Sequence, residues 1–406
     1  MAFQEFTPMQ YLMIDIANSY GVDGLDREDW SVRLDWFQRH ENHLDRMVPD
    51  AKSPALMYAG IQAYKKALKG EAIGYPVSLD ATASGIQFLA VLTNCRTSAL
   101  QCNVVDSGHR EDAYTNHYAV MNQRMGDVAK IERDVTKYGT MTAFYTSKQV
   151  PEEIFGEGTP LLECFYETIK ELFPLAWELN EAMMDTWQSD KLSHDWIMPD
   201  NYHVKVKVMG KQKHMVNFDN TPQEVVVYKN MPQASGRSNG ANMVHSVDAF
   251  AVREITARCM YDPEHINMLR MFVSDPNNKG GKSRKRSQDQ KVMELWDLYK
   301  KSGYLSVRIL GFLDPMNMGL VDINKIRSML ATLPSRPFQL LITHDCFRVL
   351  PTYGNDIRRQ YNQVLSEMAD SNMLQFIVSQ IVGHPVTVNK TDSLGKDILE
   401  TNYALS

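Results

Sequence analysis

Cysteines are few in this sequence of 406 residues, and their arrangement argues against two kinds of cross-linked protein. The five cysteines are an odd number and include no C-x-x-C pair. We therefore expect neither a disulfide framework nor a zinc site. No apolar run approaches membrane-spanning length, and residues 1–25 carry no basic-then-apolar signal pattern. These absences predict a protein of a reducing cytoplasm with no membrane partner.

Basic residues are also fewer than acidic residues, 43 against 49. The formal net charge is −6, so a path for nucleic-acid phosphates would have to be local or be completed by a partner. Apolar residues make up 44% of the chain, which is enough for a large core divided over two or three subdomains.

Hydrophobic periodicity predicts a mainly helical chain with a few short strands. Residues 275–291 are rich in Asn, Gly, Ser, Lys and Arg, which predicts a loop. The segments predicted to be helical are 1–70, 111–190 and 240–260. The segments predicted to contain strands are 76–90 (strand, turn and helix start), 202–230 (a β-hairpin) and 338–351 (two strands meeting at a polar tip).

Two aspartates stand where apolar segments end. Asp80 precedes the small residues 81–85, and Asp345 lies at the tip between two apolar stretches. Hard cations prefer carboxylate oxygens, and two ions held by two carboxylates can activate a hydroxyl and stabilise a leaving oxygen. Alone, either aspartate is more typical of a turn or a helix cap. The pair therefore gains meaning only with a third element.

A pattern of basic and aromatic residues supplies that element. Arg133, Lys137 and Tyr145 share one face of an α-helix, and the first and last are about 18 Å apart along its axis. A nucleoside triphosphate has a comparable length, so the cations could hold its phosphates and the ring could meet its sugar and base. The alternative is a solvated amphipathic helix with salt-bridged side chains.

Five segments resemble, in order and spacing, elements of the single-subunit RNA polymerases of T7-type phages and mitochondria. Asp80–Gln87 is similar to motif A, D-x-x-x-S-G-I-Q, and Arg133–Tyr145 is similar to motif B, R-x-x-T-K-x-x-x-M-T-x-x-Y. His344-Asp345 is similar to motif C, H-D. Val244–Asp248 resembles the family's V-H-S-x-D element, and Asp397–Glu400 resembles part of its C-terminal tail.

The resemblance implies DNA-templated synthesis of RNA from ribonucleoside triphosphates with two Mg²⁺ ions. Asp80 and Asp345 would bind both ions, with help from the Ala81 carbonyl. The other implied roles are triphosphate binding by Arg133 and Lys137, ribose selection by Tyr145, and contact with the minor groove near the growing end by His245. Lys137 and Tyr145 are also expected to be catalytic, and Tyr145 and Gly85 to border the bound nucleotide. His344 would pack beside motif C and, like His245, bind nucleic acid. A phage protein of this kind would act in the cytoplasm of its host bacterium.

Two rival functions stay open. In a Pol I-type DNA polymerase, a Glu five residues after the motif A Asp blocks a 2′-hydroxyl, whereas Gly85 leaves room for it. The other rival is a catalytically inert polymerase fold that only binds nucleic acid. Primer extension with Mg²⁺ and each type of nucleotide distinguishes the three.

The implied fold is α+β and predominantly helical, a right-hand polymerase of palm plus fingers that lacks the family's N-terminal domain and thumb. The expected divisions are 1–75, a helical segment leading into the palm; 76–110, palm with motif A; 111–195, fingers with the motif B helix; 196–235, a segment like the specificity hairpin; 236–261, a palm-associated helix; 262–335, an insertion; and 336–406, palm with motif C and the C-terminal tail.

The sequence also departs from the family pattern. Thr146 stands where the phage enzymes have Gly, and Cys346 where Ser is common. The insertion adds about seventy residues, and its basic residues between 279 and 291 suit either phosphate binding or a solvated loop.

A partner is expected to complete the enzyme. We predict a heterodimer with a smaller protein subunit that supplies the N-terminal and thumb functions, aided by a single-stranded-DNA-binding or promoter-opening factor. Candidates for an apolar interface, or else for internal core, are Tyr11, Leu12, Ile14 and Ile16.

Overall fold

A computed structural model describes residues 2–406, in which helices dominate. The helices are α1 (Pro8–Tyr20), α2 (Trp30–His40), α3 (Leu44–Met47), α4 (Pro54–Leu68), α5 (Ser84–Thr93), α6 (Arg96–Gln101), α7 (Ala113–Met125), α8 (Arg133–Phe144), α9 (Gln149–Phe155), α10 (Pro160–Leu172), α11 (Pro174–Asp185), α12 (Ser238–Cys259), α13 (Pro263–Ser274), α14 (Ser287–Ser302), α15 (Ile323–Thr332), α16 (Gly354–Asp370), α17 (Met373–Val382) and α18 (Gly395–Leu399). The strands are β1 (Val77–Asp80), β2 (Ser193–Ile197), β3 (His203–Lys207), β4 (Met209–Phe218), β5 (Thr221–Asn230), β6 (Leu341–Thr343) and β7 (Cys346–Val349). The predicted α+β, predominantly helical composition is confirmed.

The three-stranded sheet has the antiparallel order β1–β7–β6. Val77 pairs with Val349, and Asp80 with Cys346. Val77, Val349 and Leu79 are buried, as the period-2 alternation of a half-buried strand requires. The register therefore brings the end of β1 next to the β6–β7 turn, although the two segments lie far apart in the sequence.

Residues at the C-terminal end of the chain run beside the end of β1. The Ser406 N–H donates to the Asp80 carbonyl at 2.9 Å, and the Thr82 N–H donates to the Ala404 carbonyl at 3.2 Å. Gln87 is fully buried, and its amide donates to the Ala404 carbonyl at 2.9 Å and to the Thr82 hydroxyl at 3.1 Å. The turn after Asp80 is thus held in place by hydrogen bonds from the far end of the sequence.

The first helix belongs to the main hydrophobic core. It begins at a capping box of Thr7 and Gln10 with Pro8 in its first turn, and it ends at Gly21, whose φ is 57°. The side chains predicted as candidates for a partner interface are interior: their exposed fractions are 1% or less. The interface interpretation is therefore wrong for Tyr11, Leu12, Ile14 and Ile16, which pack within this chain.

Residues 262–335 contain a second hydrophobic core, which extends from Ile266 to Leu333. This core is fastened to α12 by the buried Glu254, which accepts hydrogen bonds from the Val307 N–H at 3.0 Å and from the Ser306 hydroxyl. Within 275–291, the predicted loop ends at residue 286, because α14 begins at Ser287.

The single hairpin predicted over 202–230 is in fact parts of two antiparallel pairs. Strand β3 pairs back with β2, and only β4 and β5 form a hairpin with each other. Every side chain of β5 is exposed, so the alternation that distinguishes a buried face is missing there. No helix among residues 2–406 has both the length and the apolar character needed to span a bilayer.

Candidate active site

The end of β1, the start of α5, the β6–β7 turn, α8 and α12 enclose a cavity of about 380 Å³. Eight of the nine site residues predicted from the sequence line it, and the ninth, Arg133, lines an adjoining cavity. The lining consists of Asp80, Ala81, Ala83, Ser84, Gly85, Ile86, Tyr114, Lys137, Met141, Phe144, Tyr145, His245, Asp248, His344 and Asp345.

The two aspartates meet across the sheet. Asp80 is paired with Cys346, the residue after Asp345, and the Ala81 N–H donates to the Asp345 carbonyl at 3.2 Å. Desolvation at the cavity wall and the charge of Asp345 raise the pKa of Asp80 to about 6. The two carboxylates therefore repel each other in the free protein, and a cation between them would relieve that repulsion.

The turn between β6 and β7 presents motif C to the cavity. Thr343 pairs with Cys346, which leaves His344 and Asp345 as a two-residue connection. His344 takes a φ of 57°, a region that His adopts more readily than most residues with a side chain. The His344 side chain is exposed at the cavity, whereas that of Asp345 is half-buried.

A third carboxylate, Asp248, was not predicted as a site residue. It follows His245 by three positions on α12, so both side chains lie on the face that lines the cavity. Partial burial and the charge of Asp345 raise the pKa of Asp248 to about 6. The i, i+3 spacing in the V-H-S-x-D element was the available signal, because any face that presents the histidine also presents this aspartate.

One wall of the cavity is formed by Tyr145 and His245. Their rings stack with centroids 4.8 Å apart and planes inclined by 24°. Partial burial and the charges of Asp248 and Asp345 raise the pKa of Tyr145 to about 12, so its hydroxyl remains a donor at neutral pH. A Cβ added to Gly85 would lie 3.3 Å from that hydroxyl oxygen, so the glycine keeps this wall open.

The residue after Tyr145 has an unusual backbone conformation. Thr146 is buried with a φ of 64°, in the left-handed region that favours glycine. Its hydroxyl donates to the Arg237 carbonyl at 3.0 Å. The hydrogen bond ties the end of α8 to the start of α12, and thereby ties Tyr145 to the helix that carries His245.

A second cavity of about 170 Å³ adjoins the first and shares Asp80, Tyr114 and Lys137 with it. Lys137 lies 5.5 Å from the centre of the Tyr114 ring. Four basic side chains gather here, and two of them were not predicted because their segments lie outside the recognised motifs. The four are Arg27, Arg110, Arg133 and Lys137.

Arg133 is engaged by a neighbouring helix. Its guanidinium donates to the Thr115 hydroxyl at 2.7 Å and to the Asp112 carboxylate. Asp112 also caps α7, since it accepts from the N–H groups of Tyr114 and Thr115 at 3.1 Å. Arg133 is therefore oriented by its partners, while Lys137 is exposed to both cavities.

The donor set fits Mg²⁺ better than a softer metal. No group of three or more His, Cys, Asp or Glu side chains that could share one ion occurs among residues 2–406. Mg²⁺ is commonly bound by one or two carboxylates together with water and substrate phosphates. The carboxylates of Asp80 and Asp345 at one cavity match that pattern.

Residues 6–153 match the family model described as DNA-dependent RNA polymerase. The matched range contains Asp80, Gly85, Arg133, Lys137 and Tyr145, and it ends before the segments that carry His245 and Asp345. No curated protein matches the sequence. The match covers just over a third of the chain, so it shows a similarity to DNA-dependent RNA polymerases over that segment.

Proposed function

We propose that this chain is the catalytic subunit of a DNA-dependent RNA polymerase that joins ribonucleotides by two-metal nucleotidyl transfer. One observation carries the proposal: Asp80 and Asp345, far apart in the sequence, border one cavity together with Lys137 and Tyr145. The family match over 6–153 supports the same reaction. The corresponding architecture is a palm bearing both aspartates and fingers bearing α8.

The proposed metal ligands are the carboxylates of Asp80 and Asp345 and the Ala81 carbonyl. Two Mg²⁺ ions bound there would supply activation of the attacking 3′-hydroxyl and charge stabilisation at the leaving oxygen. The β1–β7 register pairs Asp80 with Cys346, the residue after Asp345, and so brings the two aspartates to one edge of the sheet. Asp248 adds negative charge to the same cavity.

The proposed triphosphate site is the adjoining cavity. Lys137 borders both cavities, so it lies where the sugar site and the phosphate site of the substrate would meet. Arg133 supplies a guanidinium that can form bidentate hydrogen bonds with phosphate oxygens. Arg27 and Arg110 line the same space, so the departing pyrophosphate would remain among positive charges.

The proposed sugar site lies against Gly85 and Tyr145. The missing side chain at 85 leaves volume for a 2′-hydroxyl, and the Tyr145 hydroxyl is available to donate a hydrogen bond. His245 and His344, both exposed at the cavity, would contact the template and the growing end.

Within the family, we infer a similarity to the larger subunit of the heterodimeric RNA polymerase II of phage N4. The partner would be a smaller subunit with N-terminal and thumb functions, and a single-stranded-DNA-binding or promoter-opening factor would assist initiation. Co-purification from the native host, followed by transcription on single-stranded and duplex templates with and without the partner, tests this. Promoter-directed, processive transcription of duplex DNA by the isolated chain would contradict it.

Primer extension on an RNA–DNA scaffold tests the core proposal. With Mg²⁺, the chain should add ribonucleotides in template order, and the Asp345→Asn variant should not. Extension by deoxynucleotides alone would indicate the DNA polymerase alternative. Template binding without any extension, in the presence of the partner, would indicate an inert subunit.

A further inference from the structure

The insertion 262–335 exposes a cluster of positive charge that the proposed reaction does not use. The cluster consists of Lys279, Lys282, Arg284 and Lys285, here called the basic loop. All four residues are exposed, and none is in a salt bridge within the described residues 2–406. In a chain of net charge −6, such a local concentration requires an explanation of its own.

Two carboxylates close to the loop are already paired with Arg286. Arg286 binds Asp289 at 2.7 Å and Asp314 at 2.7 Å. Asp289 is fully buried and also accepts from the Ser283 hydroxyl at 2.6 Å. Both aspartates are thus engaged by Arg286, and no salt bridge joins either of them to the four exposed residues of the basic loop.

The loop backbone is fixed, unlike that of a solvated random insertion. The Gly281 N–H donates to the Pro315 carbonyl at 2.7 Å, and the Ser283 N–H donates to the Met316 carbonyl at 3.0 Å. A Cβ on Gly281 would lie only 2.3 Å from the Met316 carbonyl oxygen, so this close approach of the two backbones requires glycine. Lys282 lies between these two anchors and Arg284 directly follows them, so both side chains extend from a hydrogen-bonded backbone.

The insertion is also fastened to the helix that lines the candidate active site. Glu254 of α12 accepts from Val307, and Arg258 of the same helix donates to the Thr332 hydroxyl at 3.1 Å. Helix α12 has 22 residues and carries His245 and Asp248 nearer its start. Its length is about 33 Å, the rise of roughly ten base pairs of duplex.

We propose that the basic loop binds the sugar–phosphate backbone of a nucleic-acid duplex, independently of its sequence. Lysine and arginine on a rigid loop supply phosphate contacts, which give affinity and salt dependence but read no bases. Residues 275–291 contain no aromatic side chain on which an unpaired base could stack, which favours a duplex over a single strand. The loop would hold duplex outside the active-site cavity, since no residue of the insertion lines that cavity.

The test compares two triple variants of equal charge change in the full-length chain. The first is Lys282→Gln with Arg284→Gln and Lys285→Gln. The matched control removes three exposed lysines elsewhere on the same insertion, by Lys300→Gln, Lys301→Gln and Lys325→Gln. Thermal unfolding of both variants checks that the fold is retained, and both carry Asp345→Asn so that binding is measured without synthesis.

The readout is fluorescence anisotropy with a labelled blunt DNA duplex of about twenty base pairs and with one of its single strands, over a salt series. We expect the basic-loop variant to bind the duplex about tenfold or more weakly than the control variant, with a salt slope smaller by about 2 to 3. Single-strand affinity should change less.

Equal duplex affinity for the two variants would overturn the proposal, as would a loss confined to the single strand. Failure of the parent chain to bind duplex at low salt would also overturn it. These outcomes do not depend on catalysis. A chain that fails to extend primers can still pass this test, and a competent polymerase can still fail it.

Discussion

A Cβ atom on Gly85 would lie 3.3 Å from the phenolic oxygen of Tyr145, so these two residues border the same opening in the cavity. A long side chain at 85 would fill the space that we assign to the 2′-hydroxyl. We expect Gly85→Glu to lower the ratio of kcat/KM for ribonucleotides to that for deoxynucleotides by about tenfold or more. Gly85→Ala, which adds only the Cβ, is the matched control. An unchanged ratio in the Glu variant would remove Gly85 from the sugar site.

The Tyr145 hydroxyl is expected to discriminate between sugars through a hydrogen bond. Tyr145→Phe keeps the ring that stacks on His245 but removes the donor. Polymerisation should persist, while the preference for ribonucleotides falls several-fold, because losing a paired polar contact weakens discrimination. Tyr138→Phe is the control, since Tyr138 is on the same helix and is half exposed to solvent. If both variants keep the parental preference, Tyr145 does not select the sugar.

The two carboxylates are expected to be individually essential. Asp80→Asn and Asp345→Asn keep the shape of each side chain but delete charge that divalent ions need. Nucleotide addition should fall by about a thousandfold or more, with template affinity within a few-fold of the parent. Asp185→Asn, an exposed position without an assigned role, is the control. Near-parental addition by either active-site variant would refute the two-metal proposal.

The repulsion among the cavity aspartates should appear as a pH dependence of stability without divalent ions. Asp80 and Asp248 have a pKa raised to about 6, so their contribution to stability is present at low pH and is lost as the pH rises through 6. Asp345→Asn removes a like charge that raises both values. Between pH 4.5 and 6.5 in EDTA, the parent should therefore lose more unfolding free energy than the variant.

Denaturant unfolding at the two pH values measures this difference, and groups common to both proteins cancel in the comparison. Mg²⁺ should reduce the pH effect in the parent, because bound cations favour the ionised carboxylates. An identical pH response in parent and variant would mean that Asp345 does not influence its neighbours electrostatically.

The sequence predicted which strand ends and which helix would contribute residues to the candidate site, because the motifs and the hydrophobic periodicity are local signals. Asp80 ends a strand with period-2 burial, and Lys137 on α8 and Tyr145 directly after it line the same cavity. It did not predict that Arg110 would reach the same space, since nothing local fixes how the segment before α7 packs. It could not decide between core and interface for Ile14, because both environments select the same apolar pattern. Tertiary packing settled these points.

The end of α8 offers a test of how tightly the cavity wall is built. Gly240, in the first turn of α12, faces Thr146, and a Cβ on this glycine would lie 2.3 Å from the Thr146 methyl carbon. Alanine normally favours a helix over glycine by up to about 1 kcal/mol. Here we expect Gly240→Ala to destabilise the protein by about 1–3 kcal/mol, because overpacking outweighs that gain.

A double-mutant cycle isolates this contact from general effects of the alanine. Thr146→Ser deletes the methyl group and keeps the hydroxyl that donates to the Arg237 carbonyl at 3.0 Å. In the Thr146→Ser background, Gly240→Ala should therefore cost at least about 1 kcal/mol less than it does in the parent. Because Thr146 follows Tyr145, the Gly240→Ala variant should also have a raised KM for ribonucleotides. Adding Thr146→Ser to that variant should restore the parental KM. Additive changes in unfolding free energy would show that Gly240→Ala creates no steric clash with the Thr146 methyl group. An unchanged KM in the Gly240→Ala variant would show that this contact does not influence the position of Tyr145.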